Sequence, residues 1–143
     1  TMPGEDLIKP VVAPKVKKVK ATPTVAVKDS NIITSLKVER DEKRSNQIDA
    51  LQTKINNAKT TTLDKNKALD EIKLLNSYGG KEADFEEVIN KAYKNNVFVE
   101  IYDKTIKVVT DCKKCKVKDA NDIMRLIQKD YKDRMIISVK FVG

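Results

Sequence analysis

The sequence predicts an α+β domain in which a helical hairpin precedes the element order helix, strand, strand, helix, strand, with all three strands in one sheet. Three observations carry that expectation. Apolar residues recur at three- and four-residue spacing through most of residues 31–92, the period of helices with one buried face. Val97 to Tyr102 and Thr105 to Thr110 alternate with period two on either side of Asp103-Lys104, the pattern of a tight hairpin. Met135 to Val142 alternates in the same way.

Residues 1–30 read differently from the rest. Pro3, Pro10, Pro14 and Pro23 are the four prolines of the chain, interleaved with Val and Lys, and proline removes backbone donors and favours extended chain. This stretch is expected to be a flexible linker. It holds six Lys against Glu5, Asp6 and Asp29, a net +3 of the chain's +8, leaving +5 on residues 31–143. Its lysines read either as a solvated spacer or as contacts to anionic lipid or cell-wall polymer. The first residue is Thr1 rather than Met, as in a fragment or processed product from which an anchor could have been cut. Residues 31–143 are expected to form one domain, the hairpin over 31–78 and the mixed helix-and-strand unit over 81–143.

In the first helix Ile32, Ile33 and Leu36 form one apolar end and Ile48, Leu51, Ile55 and Ala58 the other. Between them Glu39 to Gln47 is a run of nine polar residues, a middle expected to stay out of the core, held by opposite charges four apart such as Glu39 with Lys43. The first half then protrudes, either as a solvated helix or as a contact surface. Thr60, Thr61 and Thr62 supply an N-cap for the second helix, with Asp64 in its first turn. Ala68, Leu69, Ile72 and Leu75 share a face until Gly79-Gly80 ends it. A third helix carries Phe85, Val88, Ile89 and Ala92, stops at Asn95-Asn96, and exposes Glu82, Glu86, Glu87 and Lys91. In the hairpin, Ile101 faces Ile106, Val99 faces Val108 and Val97 faces Thr110, while Glu100 lies opposite Lys107. A fourth helix is capped by Asp119, with Asp122 three residues on and Ala120, Ile123, Met124, Ile127 and Tyr131 on its buried side. A crossover through that helix, leaving room for the first strand, predicts sheet order 2-1-3 with two helices on one face.

Composition removes most chemistry. There is no histidine, hence neither the commonest general base near neutral pH nor the commonest metal ligand. The only glycines are Gly4, Gly79, Gly80 and Gly143, so no phosphate-binding loop is present. An enzyme, a metal site and a cofactor are not expected. Cys112-Lys113-Lys114-Cys115 lacks the ligands for structural zinc and the fold order of a redox motif, and reads either as a short-loop disulfide or as two inert thiols. A KH-type domain would need a Gly-x-x-Gly loop, and an RRM would begin with a strand. Phe98 and Tyr102 could stack bases but share their face with Glu100, so a small basic RNA-binding module is the alternative to a protein-binding one. Candidate partner-binding residues are Phe98, Glu100, Tyr102, Lys107, Val109, Ile136 and Lys140. For Phe98, Tyr102, Val109, Ile136 and Val142 the competing reading is burial under the first two helices. An open three-stranded sheet also has two edges that accept partner strands.

Arg44-Ser45-Asn46-Gln47 through Ala68-Leu69-Asp70-Glu71-Ile72, then Phe85 to Ala92, Phe98-Val99-Glu100-Ile101, Ile106-Lys107-Val108-Val109 and Asp122 to Ile127, in that succession, resemble the extracytoplasmic part of stage III sporulation protein AH. The resemblance covers about Leu36 to Gly143, roughly three quarters of the chain. It implies the ring-building motif found in type III secretion basal bodies, here αββαβ. It implies a single-pass protein of the mother-cell membrane, held by an N-terminal helix missing from this chain, with its domain in the space between mother-cell and forespore membranes. The partners it implies are stage II sporulation protein Q, further copies of the same chain in a ring, and other channel subunits, in a role that supports engulfment. No nucleic acid is implied. Residues 1–30 become the tether, and the Cys112 and Cys115 loop is a departure from the family pattern.

Overall fold

The computed structural model describes residues 29–142; the linker expected over 1–30 lies outside them apart from Asp29 and Ser30, which open the first helix. The elements are α1 (Asp29–Asn56), α2 (Thr62–Tyr93), β1 (Val97–Tyr102), β2 (Thr105–Thr110), α3 (Val117–Gln128) and β3 (Ile136–Phe141). The α+β class expected from periodicity is the observed one.

α2 is a single helix of 32 residues, not two separated at Gly79-Gly80. Thr61 caps it as expected, its Oγ1 accepting from Asp64 N–H at 3.1 Å. Buried residues on both sides of the glycines, Leu75 before and Phe85 and Ile89 after, keep the chain helical, because packing an apolar face outweighs an unfavourable propensity of about 1 kcal/mol. A Cβ at Gly80 would meet nothing within 4 Å. Gly80→Ala is therefore expected to stabilise the fold by about 0.5–1 kcal/mol, read as a raised midpoint in thermal unfolding; a lowered midpoint would mean that the helix is not continuous there. The helix stops at Lys94, which takes a left-handed φ of 60° and donates its N–H to Asn90 O, one residue before the expected Asn95-Asn96 stop.

β1 and β2 pair antiparallel in the expected register, Val97 with Thr110, Val99 with Val108, Glu100 with Lys107 and Ile101 with Ile106. Asp103 takes the positive φ, 55°, that lets the turn close. The sheet order, however, is β1-β2-β3, with β3 parallel to β2; the expected 2-1-3 order is not formed. A crossover helix serves adjacent parallel strands as well as strands one apart, so element order does not choose. The choice falls to the outer edge of β1, already occupied by side chains from α1 and α2.

One core lies between α2, α3 and one face of the sheet, formed by Phe85, Ile89, Val97, Val99, Ile101, Ile106, Val108, Ile123, Ile127 and Met135. The two helices expected on one face are thus α3 and the second half of α2. A smaller cluster on the opposite face joins Ile33 of α1 to Phe98 and Val109, with Leu36 and Val142 beside it. α3 starts two residues earlier than Asp119, which sits inside its first turn and accepts from Lys116 N–H at 2.8 Å. Cys112 and Cys115 are joined by a disulfide.

Candidate interaction surface

The two sheet edges differ. Along the outer edge of β1, Val99 N–H donates to Glu86 Oε2 at 2.9 Å and Ile101 N–H to Glu82 Oε2 at 2.8 Å. Val99 O accepts from Arg40 Nη1 at 2.7 Å. The same Arg40 Nη1 reaches Glu86 Oε2 at 2.6 Å, and Arg44 grips Glu82 through two bonds, Nη1 to Oε1 at 2.6 Å and Nη2 to Oε2 at 2.7 Å. Glu82 is 1% exposed. Two guanidinium groups and two carboxylates balance in charge while using up backbone groups that a further strand would need, so the edge is sealed. Burial works against the charge on Arg40, but hydrogen bonds to Glu86 and Asp41 and the pull of Glu86 and Glu82 win, and its pKa rises. For Arg44 the bonds to Glu82 dominate and act in the same direction. Both shifts favour the charged guanidinium, so the cluster keeps its two positive partners.

This cluster corrects two expectations. The polar middle of α1 does not stand clear of the core, since Arg40 is buried and lies over the Phe98 ring at 5.4 Å. Glu82 and Glu86 are not a solvated face. The signal was present in the sequence: Arg40 with Arg44, and Glu82 with Glu86, are like charges four apart, a repulsive arrangement on an isolated helix that becomes favourable when the two helices face one another.

Among the described residues, the outer edge of β3 has no strand beside it. Ile136 N–H donates to Lys104 O at 2.7 Å and Val142 N–H to Thr110 O at 2.9 Å. By the alternation of a strand, the N–H and C=O groups of Ile137, Val139 and Phe141 then point away from β2. Next to this edge lies the part of the second sheet face that α1 leaves uncovered, where Tyr102 is 66% and Ile136 68% exposed, flanked by the exposed Lys107 and Lys140.

Of the seven residues expected to bind a partner, Tyr102, Lys107, Ile136 and Lys140 therefore share one accessible surface. Phe98 and Val109 do not: they are buried against Ile33, out of reach of any partner on this fold. The pair of aromatics that could have stacked bases is likewise not formed, since only Tyr102 faces solvent. Glu100 is half-buried, and its carboxylate meets Lys43 Nζ at 3.0 Å. Among the described residues no cluster of acidic or cysteine side chains is placed to hold a metal ion, and no helix is long and apolar enough to cross a membrane.

A family model described as "SpoIIIAH-like protein" matches residues 5–136. Among solved structures, a chain from "Structure of the SpoIIQ-SpoIIIAH pore forming complex" is similar to this one with a TM-score of 0.69 and 22% identity, over 77% of this chain and 96% of that one. The similarity is one of fold. No curated protein sequence matches the chain.

Proposed function

The chain belongs to the SpoIIIAH-like family, whose members are sporulation interaction proteins, and from that membership we propose that it binds a SpoIIQ-type ectodomain presented from the forespore side. In this reading it is a single-pass protein of the mother-cell membrane, tethered through residues 1–30. Its domain stands in the intermembrane space, associates with further copies in a ring together with other channel subunits, and supports engulfment. It acts by adhesion and not by catalysis.

The observation that carries the reading is the asymmetry of the sheet. One edge is closed by buried ion pairs, whereas the other leaves three residues' worth of backbone donors and acceptors beside an exposed apolar pair. Such an edge takes an added strand, with hydrogen bonds supplying affinity and the neighbouring side chains supplying specificity. Tyr102 and Ile136 also lie at the sheet end remote from Ile33, near which α1 begins.

The test is calorimetric titration of the chain with a SpoIIQ ectodomain. Val139→Pro removes an outward N–H that β2 does not use, and Tyr102→Asp with Ile136→Glu places charge on the exposed pair. Each is expected to weaken binding by at least about tenfold, as for loss of one or two central contacts, while the circular dichroism spectrum is kept. Unchanged affinity in both variants, or no binding by the parent chain at tens of micromolar, would sink the reading.

A further inference from the structure

We propose that the end of the domain from which residues 1–28 lead is a docking surface for a layer of anionic lipid headgroups, built on Lys94, Lys113, Lys114, Lys116 and Lys118 around Val117. The location follows from packing. Ile33 touches Phe98 and Val109, which pair next to Val97 and Thr110 at the end of the sheet, so α1 begins where β2 runs into the loop over 111–116.

All five lysines are exposed, and Lys94, Lys113 and Lys114 line one open hollow. Asp111 and Asp119 line the same hollow, and each is engaged by neighbouring donors, so the five lysines outnumber them. Asp111 accepts from Asn96 N–H and Nδ2 at 2.9 and 3.0 Å, and Asp119 accepts from Lys116 N–H. The disulfide closes the loop that carries Lys113 and Lys114, so less freedom is lost when they meet a surface. Val117, 76% exposed between Lys116 and Lys118, contributes nothing to the core. An apolar side chain ringed by lysines fits the boundary between headgroups and acyl chains, where burial and attraction act together. A soluble polyanion would leave Val117 without a role, and the patch holds neither arginine nor an exposed aromatic for nucleobases.

The inference rests on the membrane-attached reading above. Its test is co-sedimentation of the 143-residue chain with phosphatidylglycerol vesicles, beside phosphatidylcholine vesicles and an RNA oligonucleotide. Binding is expected to phosphatidylglycerol alone and to fall as salt rises. Lys113→Gln/Lys114→Gln/Lys116→Gln is expected to weaken it on the order of 100-fold, at about fivefold per lysine. The variant Lys59→Gln/Lys65→Gln/Lys67→Gln, equal in charge but at the far end of the hairpin, is expected to keep most of the affinity. Equal losses in the two variants, no salt-sensitive vesicle binding, or tighter binding to the RNA would overturn the proposal. SpoIIQ-ectodomain titration of the same variants separates the two readings: absent vesicle binding with intact ectodomain binding defeats this inference alone, and the reverse result defeats only the binding partner proposed above.

Discussion

Glu82→Ala is expected to destabilise the fold by about 3–5 kcal/mol, the cost of leaving a buried charge without its partner. Glu82 neutralises Arg44 through two bonds and accepts from Ile101 N–H, and Arg40 Nε lies 3.4 Å from the same carboxylate. Its removal strands positive charge in the interior and orphans a strand-edge donor at once. Urea denaturation read by circular dichroism gives the number. Glu82→Gln keeps an acceptor for Ile101 but not the charge, so it should recover only part of the loss. A cost below about 1 kcal/mol for the alanine variant, the range of an exposed ion pair, would mean that the edge of β1 is not sealed this way. Whether the cluster raises net stability over an apolar replacement is a separate matter, since buried ion pairs often do not. Its value here is in closing one edge and leaving the other open.

Phe98→Ala is expected to cost about 3–5 kcal/mol, the range for deleting a buried phenyl ring. Phe98 is 2% exposed, packed on Ile33 and Val109 beneath the Arg40 guanidinium. Its loss would loosen α1 from the sheet. Tyr102→Ala, four residues along on the same strand face, should change stability by no more than about 0.5 kcal/mol, as is usual for exposed positions. The pair separates core from contact surface. If Phe98→Ala left the unfolding midpoint unchanged and only weakened partner binding, Phe98 would have to be exposed and the packing of α1 would be wrong.

Much of this was readable in advance, and the reasons are particular. The β1 and β2 register was legible because a two-residue turn and period-two alternation admit one pairing that keeps Val97, Val99 and Ile101 on the same side as Ile106 and Val108. The Thr61 cap was legible because a capping hydroxyl acts on an amide three residues away. Gly79-Gly80 misled because glycine is a common helix stop, yet the apolar spacing continues in phase across it, from Leu75 through Glu82 to Phe85 and Ile89. Glu82 was the harder case. It occupies a core position in that spacing, and a lone carboxylate there has no reason to be buried until Arg44 is seen across from it.

Periodicity, caps and turns act over a few residues, and so residue order alone determined which stretches are helical, apart from the continuity across Gly79-Gly80, and the hairpin with its register. The fate of the charges and the order of the strands belonged to the tertiary structure. The bonds that bury Glu82 and Arg40 join residues 38 and 59 positions apart, and a charge enters the interior only where an opposite one already waits. That long-range pairing closes one edge of the sheet and, with that edge occupied, β3 pairs on the far side of β2.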